Sequence, residues 1–297
     1  MKRGILRDLR LKIAPPGTTR ERLYQFSRKK MNAVDTNRAG ESIYERAKIL
    51  NDQLYSDTRE IPTHELIQMA KMLRTQCKNR GHSADLTDNW ISHRYRIYLT
   101  IKWLREIYSD KDEKITALEM GGDSVVTDIL RNAFLRWTWS NTSGDLRYPW
   151  SDIESESTDL IVSTEVLEHL SDQPTGIGNG FYKSGVKFAL MESIRALKRG
   201  GFLFATTPNV ASVIQLKNIL EGSTPWFYDI HVREYTVSEI IHELKEAGFE
   251  IYRWRTVHCL TVDYNHDYTG LFQMLLEHKY DVSSRGDDIF VVARKPE

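Results

Sequence analysis

From Ile115 to the C-terminus, apolar runs of strand length alternate with runs of helical periodicity. That alternation restricts the chain to a small set of folds, because strands separated by helices pair in parallel through crossovers. The strand-like runs are Ile115–Met120, Phe134–Trp139, Leu160–Ser163, Phe202–Thr206, Phe249–Trp254 and Ile289–Ala293. Between them, Val186, Leu190, Ile194 and Leu197 form one helical stripe. Thr236-Val-Ser-Glu239 reads as a capping box opening a further helix, with Gly248 at its end. The expected fold class is α/β: a Rossmann-like, doubly wound, mostly parallel sheet. In such sheets ligands sit outside the carboxyl ends of the strands. Function is therefore expected just after Met120, after Thr138–Asn141, after Ser163 and after Thr206.

The preceding part of the chain differs. Residues 41–110 read as an N-terminal helical extension. Within Ile91–Tyr108, apolar side chains leave few polar gaps, which predicts one buried helix. A charged stretch at 109–114 reads as a linker. Three segments follow: a basic arm (1–40), the extension (41–110) and the α/β domain (111–297). The whole chain has no net charge, which gives no electrostatic indication of a nucleic-acid partner. The arm, however, carries eleven Lys or Arg against three acids, and such a segment can contact a membrane surface or another anionic partner. Two cysteines, Cys77 and Cys259, make no metal spacing and no disulfide framework, as expected in a reducing compartment. No apolar stretch approaches bilayer length, and charges interrupt the N-terminal apolar residues, so the expected location is cytoplasmic, with contact at the membrane periphery open.

The motifs fall where the sheet predicts ligands. Thr116-Ala-Leu-Glu-Met-Gly-Gly122 is a strand running into two glycines, which let a backbone approach a ligand closely. Glu165, Glu168 and His169 follow the strand Leu160-Ile-Val162 at i, i+3 and i+4, a spacing that places them on one face of a helix. Two carboxylates and an imidazole so arranged suit a divalent metal. Gln173–Lys183 holds three glycines and reads as a lid over the cleft. Trp226, Phe227 and Tyr228 could wall a sugar or ring. The first turn lacks Gly-x-Gly-x-x-Gly, which argues against a nicotinamide-dependent oxidoreductase.

The run Asp159-Leu-Ile-Val-Ser-Thr-Glu-Val-Leu-Glu-His-Leu170 closely resembles the fourth-strand segment of class I S-adenosylmethionine-dependent methyltransferases. The glycine turn resembles their first motif, with Glu119 at the acidic position and Gly121 and Gly122 in the loop; Asp123 and Val125 stand where glycines are common. Gly144-Asp-Leu146 is similar to the segment that holds the adenine. At the second strand the family's ribose-binding acid is replaced by Trp139-Ser-Asn-Thr-Ser143, with Asn141 the nearest hydrogen-bonding residue. Ala196-Leu-Lys-Arg-Gly-Gly-Phe-Leu203 resembles the turn before the fifth strand. The resemblance covers about 180 residues and leaves out 1–110.

The resemblance implies S-adenosylmethionine as cofactor, held by Glu119, Gly121, Gly122, Asn141, Asp145, Leu146 and Thr164. Glu-x-x-Glu-His followed by a distant His231 is similar to the metal-assisted O-methyltransferases of small-RNA 3′ ends; the ubiquinone-pathway enzymes share its first part. It implies Mg²⁺ or another divalent metal on Glu165, Glu168, His169 and His231, with His169 and His231 as catalytic residues. The stretches Leu9–Gly17 and Thr207–Val210 resemble glycan-locus methyltransferases. The expected activity is therefore O-methylation of a sugar hydroxyl in glycan biosynthesis, on a small-molecule or glycan substrate. RNA 2′-O-methylation is the alternative within the class. A catalytically inactive, partner-binding subunit is the alternative outside it.

Overall fold

The computed structural model describes residues 41–108, 114–174 and 182–297. The basic arm, most of the linker and the centre of the expected lid lie outside these. In order the elements are α1 (Ile43–Leu54), α2 (Ser56–Arg59), α3 (Thr63–Asn79), α4 (Ala84–Ser92), α5 (Arg94–Ile107), β1 (Thr116–Met120), α6 (Val125–Ala133), β2 (Thr138–Asn141), β3 (Thr158–Thr164), β4 (Gln173–Pro174), β5 (Tyr182–Lys183), α7 (Gly185–Ala196), β6 (Leu197–Pro208), α8 (Val213–Leu220), α9 (Val237–Glu246), β7 (Glu250–Val257), α10 (Thr269–Glu277) and β8 (Asp288–Arg294). Two compact units emerge. One contains residues 41–50 and Thr269–Ser283; the other contains Asn51–Tyr268 and Ser284–Glu297, and with them the whole sheet.

The sheet has six strands in the order β2-β1-β3-β6-β8-β7, with β8 antiparallel to both neighbours and the other pairs parallel. It is the expected mostly parallel, Rossmann-like arrangement. Strand side chains alternate between two cores, as the two-residue period demands. Ala117, Leu160, Val162, Phe204, Phe290 and Val292 enter one core, together with Leu73 and Cys77 of α3, Ile97 and Leu104 of α5, and Ile129 of α6. Leu118, Ile161, Leu203, Ala205 and Val291 enter the other, with Leu190 of α7 and Leu244 of α9. The N-terminal helices α3 and α5 thus cover one face of the sheet. No helix among the described residues is long and apolar enough to cross a membrane.

Two elements differ from expectation. The single helix read over Ile91–Tyr108 is broken at His93, between α4 and α5. Ser83 caps α4 through the Leu86 N–H, and Ile91 belongs to that earlier helix. The second strand runs over Thr138–Asn141, not Phe134–Trp139. Phe134 and Trp137 carry a strand-like apolar signal, but they sit in the turn after α6 and stack on each other with ring centroids 4.0 Å apart. The Thr236–Glu239 capping box forms as read, and α9 ends before Gly248. Gln173–Pro174 and Tyr182–Lys183, the two ends of the expected lid, pair as an antiparallel ribbon.

Candidate functional site at the carboxyl ends of the strands

The residues expected to form the cofactor loop gather at the end of β1. Gly121 and Gly122 both have positive φ, +106° and +93°. A Cβ on Gly121 would lie 2.7 Å from a Val166 methyl, whereas one on Gly122 would meet nothing within 4 Å. Only glycine fits the first position, and the backbone at the second is open to an incoming group. Glu119 is buried, and burial pushes its carboxyl up to about 7. Its Oε1 accepts from the Ser124 hydroxyl (3.3 Å); its Oε2 has no partner. A buried, half-satisfied carboxylate beside an open glycine backbone fits the amino end of a methionine-derived cofactor.

The other expected cofactor residues are engaged by the protein itself. Asn141 accepts from Arg131 Nη2 (2.7 Å) and donates to the Gly122 carbonyl (3.0 Å), which ties the end of β2 to the glycine loop. Both oxygens of Asp145 accept from Arg147, which holds its carboxyl below the usual carboxylate range. Leu146 is buried in the sheet core with Met120 and Trp150. Thr164 closes β3, buried, opposite Thr206.

The segment after β3 is not the helix that the i, i+3, i+4 reading predicts. Glu165 takes a left-handed conformation, φ +55°, and only a 3-10 turn over Leu167–His169 follows. The reversed backbone turns Glu165 toward Thr206. Its N–H donates to the Thr206 carbonyl (3.1 Å), and its Oε1 accepts from the Thr206 hydroxyl (2.7 Å). Glu168 is fully buried; its Oε2 accepts from the Thr207 hydroxyl (3.0 Å) and its Oε1 has no partner. Burial and the neighbouring Glu165 charge raise its carboxyl well above the ordinary range. The main-chain carbonyl of Glu168 accepts from Val232 and Arg233 N–H (2.9 and 3.2 Å), which docks the 231–235 segment beside the turn.

That docking brings His231 to His169. Their rings meet edge to face, with centroids 4.8 Å apart. Ligand atoms of Glu168, His169 and His231 all lie within 4.8 Å of one another. Three of the four expected metal residues therefore come together, and Glu165 stands outside the group. Burial, and after it the proximity of His231, lowers the His169 pKa and favours its neutral, ligating form. Sequence reading missed Glu234. Its buried carboxylate engages His231 Nδ1 (2.7 Å) and accepts from the Phe227 N–H (2.6 Å), so Nε2 is the ring nitrogen that it does not hold. The His-x-x-Glu spacing was the available signal. The orphaned Glu168 oxygen and the oriented His231 nitrogen fit a small divalent ion. Beside them, Tyr228 is half exposed, its ring 5.3 Å from His231.

A family model described as a methyltransferase domain matches residues 30–253. No curated protein sequence matches the chain significantly. Similar solved structures include a SAM-dependent methyltransferase from Archaeoglobus fulgidus (13% identity, 67% of this chain and 94% of that one, TM-score 0.44). Another is an S-adenosylmethionine-dependent methyltransferase from Mesorhizobium loti (13%, 66% and 98%, TM-score 0.37). A third is the N-methyltransferase NodS from Bradyrhizobium japonicum with S-adenosyl-L-homocysteine (14%, 69% and 88%, TM-score 0.38). With the family model covering most of its length, the chain belongs to the methyltransferase-domain family.

Proposed function

We propose that this enzyme methylates a hydroxyl oxygen, that of a sugar in a glycan or glycan precursor, at the Glu168–His169–His231 cluster. The observation that carries the reading is the convergence of ligand-type atoms of Glu168, His169 and His231 within 4.8 Å of one another. The cofactor supplies an activated sulfonium methyl, so the protein's main tasks are alignment of the acceptor and removal of its proton. Glu119 and the backbone of Gly121 and Gly122 would hold the methionine end of the cofactor. Asn141, Asp145, Leu146 and Thr164 complete the expected cofactor set.

Glu168, His169 and His231 would hold a divalent ion such as Mg²⁺, which when bound would lower the pKa of a coordinated hydroxyl. Thr207 holds one oxygen of Glu168 and so aims the other at the site. Glu234 holds the His231 ring through Nδ1 and so orients Nε2. The exposed faces of Tyr228 and Trp226 suit stacking against a sugar ring, and a vicinal diol suits a metal clamp. Residues 1–40, with their basic balance, suit an anionic surface, and the proposed location is cytoplasmic.

The test is methyl transfer to candidate acceptors with and without a chelator, on the wild type and His231→Ala. Loss of activity in both conditions supports the metal-assisted reading. Activity that survives chelation but not His231→Ala assigns the proton to the His231–Glu234 pair without an ion. Methylation of RNA in preference to sugar acceptors would replace the glycan substrate.

A further inference from the structure

We propose that Arg80 is a positioning residue for the cofactor loop, so that the N-terminal helices set the affinity for S-adenosylmethionine. The proposal rests on the reading of Glu119–Asp123 as that loop.

Arg80 sits at the end of α3, where the chain must stop and turn. The His82 N–H reaches the Cys77 carbonyl (2.9 Å) and the Gly81 N–H reaches Lys78 (3.0 Å), around Gly81 at φ +71°. This is a Schellman stop, and it fixes the backbone that carries the Arg80 side chain. Cys77 and Leu73 anchor the same helix in the core against the sheet. From there the guanidinium spans two groups of the domain. Nη2 donates to Asp123 Oδ2 (2.8 Å) and Nη1 to the Asp123 carbonyl (3.4 Å), in the loop itself. Nε donates to Asp128 Oδ2 (2.6 Å), in the first turn of α6. The planar fork meets carboxylates from the loop and from the helix that follows it in a fixed geometry that a lysine ammonium lacks.

The contacts continue around the loop. Arg131 Nη1 donates to the other oxygen of Asp123 (3.2 Å), and its Nη2 donates to Asn141, which donates in turn to the Gly122 carbonyl. Arg80, Asp123, Arg131 and Asn141 thus brace a segment whose two positive-φ glycines would otherwise leave it free to rearrange. A loop held in one conformation before binding loses less entropy on binding, and affinity rises accordingly. Arg80 is 24% exposed and Asp123 53%, so water screens the pair and a moderate effect is expected.

The test is calorimetric titration of the full chain with S-adenosylmethionine, with kcat and KM measured alongside. Arg80→Ala is expected to weaken cofactor binding about tenfold, with kcat at saturating cofactor within about twofold of wild type. Arg80→Lys should recover part of the loss, and Arg80→Ala should cost less in an Asp123→Asn background. A melting-temperature drop in Arg80→Ala with an unchanged Kd overturns the clamp, since a merely structural contact would do only that. Should Arg80→Ala fail to fold, the comparison of Arg80→Lys and Asp123→Asn decides by the same criterion. Glu119→Ala separates the two claims. If it abolishes binding while the Arg80 variants bind normally, the clamp is wrong and the loop assignment stands; if it too binds normally, the loop assignment falls.

Discussion

Two polar clusters lie at the carboxyl ends of the strands, and they differ in what they leave unsatisfied. Around the glycine loop, Asn141 is engaged at both ends, Asp123 by two arginines and Asp145 by Arg147; the loop's open groups are backbone atoms and one oxygen of Glu119. After β3, a Glu168 oxygen without a hydrogen-bond partner converges with nitrogens of His169 and His231. The first cluster is held in one arrangement by its own hydrogen bonds. The second keeps a buried carboxylate oxygen unsatisfied, at a desolvation cost.

The largest expected effect tests the second cluster. His231→Ala should lower the methyl-transfer rate about 10³-fold and leave cofactor affinity near wild type. A parallel loss of cofactor binding would merge the two clusters into one. Glu234→Gln keeps the shape but can reverse the His231 tautomer; a loss of about 10- to 100-fold is expected in activity or metal affinity. An unaltered rate would remove Glu234 from the site.

Glu119→Gln probes the first cluster. The buried Glu119 carboxyl titrates near 7, against 4.5 when unperturbed. Between these values the folded protein keeps a proton that the unfolded chain has lost, so Glu119 makes stability fall as pH rises through the window. The total is about 3 kcal/mol. Glu119→Gln should therefore melt less differently at pH 5 and pH 8 than the wild type, while binding cofactor more weakly. Equal pH slopes would mean that Glu119 titrates normally. The smallest effect is expected for Thr207→Val, which leaves Glu168 without its hydrogen bond. A stability change of about 1–2 kcal/mol, read by denaturant titration, would separate it from the catalytic variants.

Much of the fold was legible because it follows from short-range pattern. The β1, β3, β6 and β8 runs alternate between two cores, and the Thr236 capping box states its own helix start. Where aromatic residues cluster, pattern misleads. Phe134 and Trp137 resemble a strand, yet they are buried by stacking in a turn. Glu165 shows the same limit at the site. Its spacing to Glu168 and His169 assumes a helix, but hydrogen bonds to Thr206, 41 residues on, hold it in a left-handed conformation instead.

By itself the sequence determined the alternating sheet and the family, because those depend on local periodicity and on motifs contiguous in the chain. Only the tertiary structure decided which side chains meet. The Glu168 carbonyl captures the 231–235 segment, Glu234 orients His231, and Arg80 reaches Asp123 in the glycine loop from the end of α3. Each of these is a contact between residues far apart in the chain, and their distance is set by the packing of whole elements against the sheet.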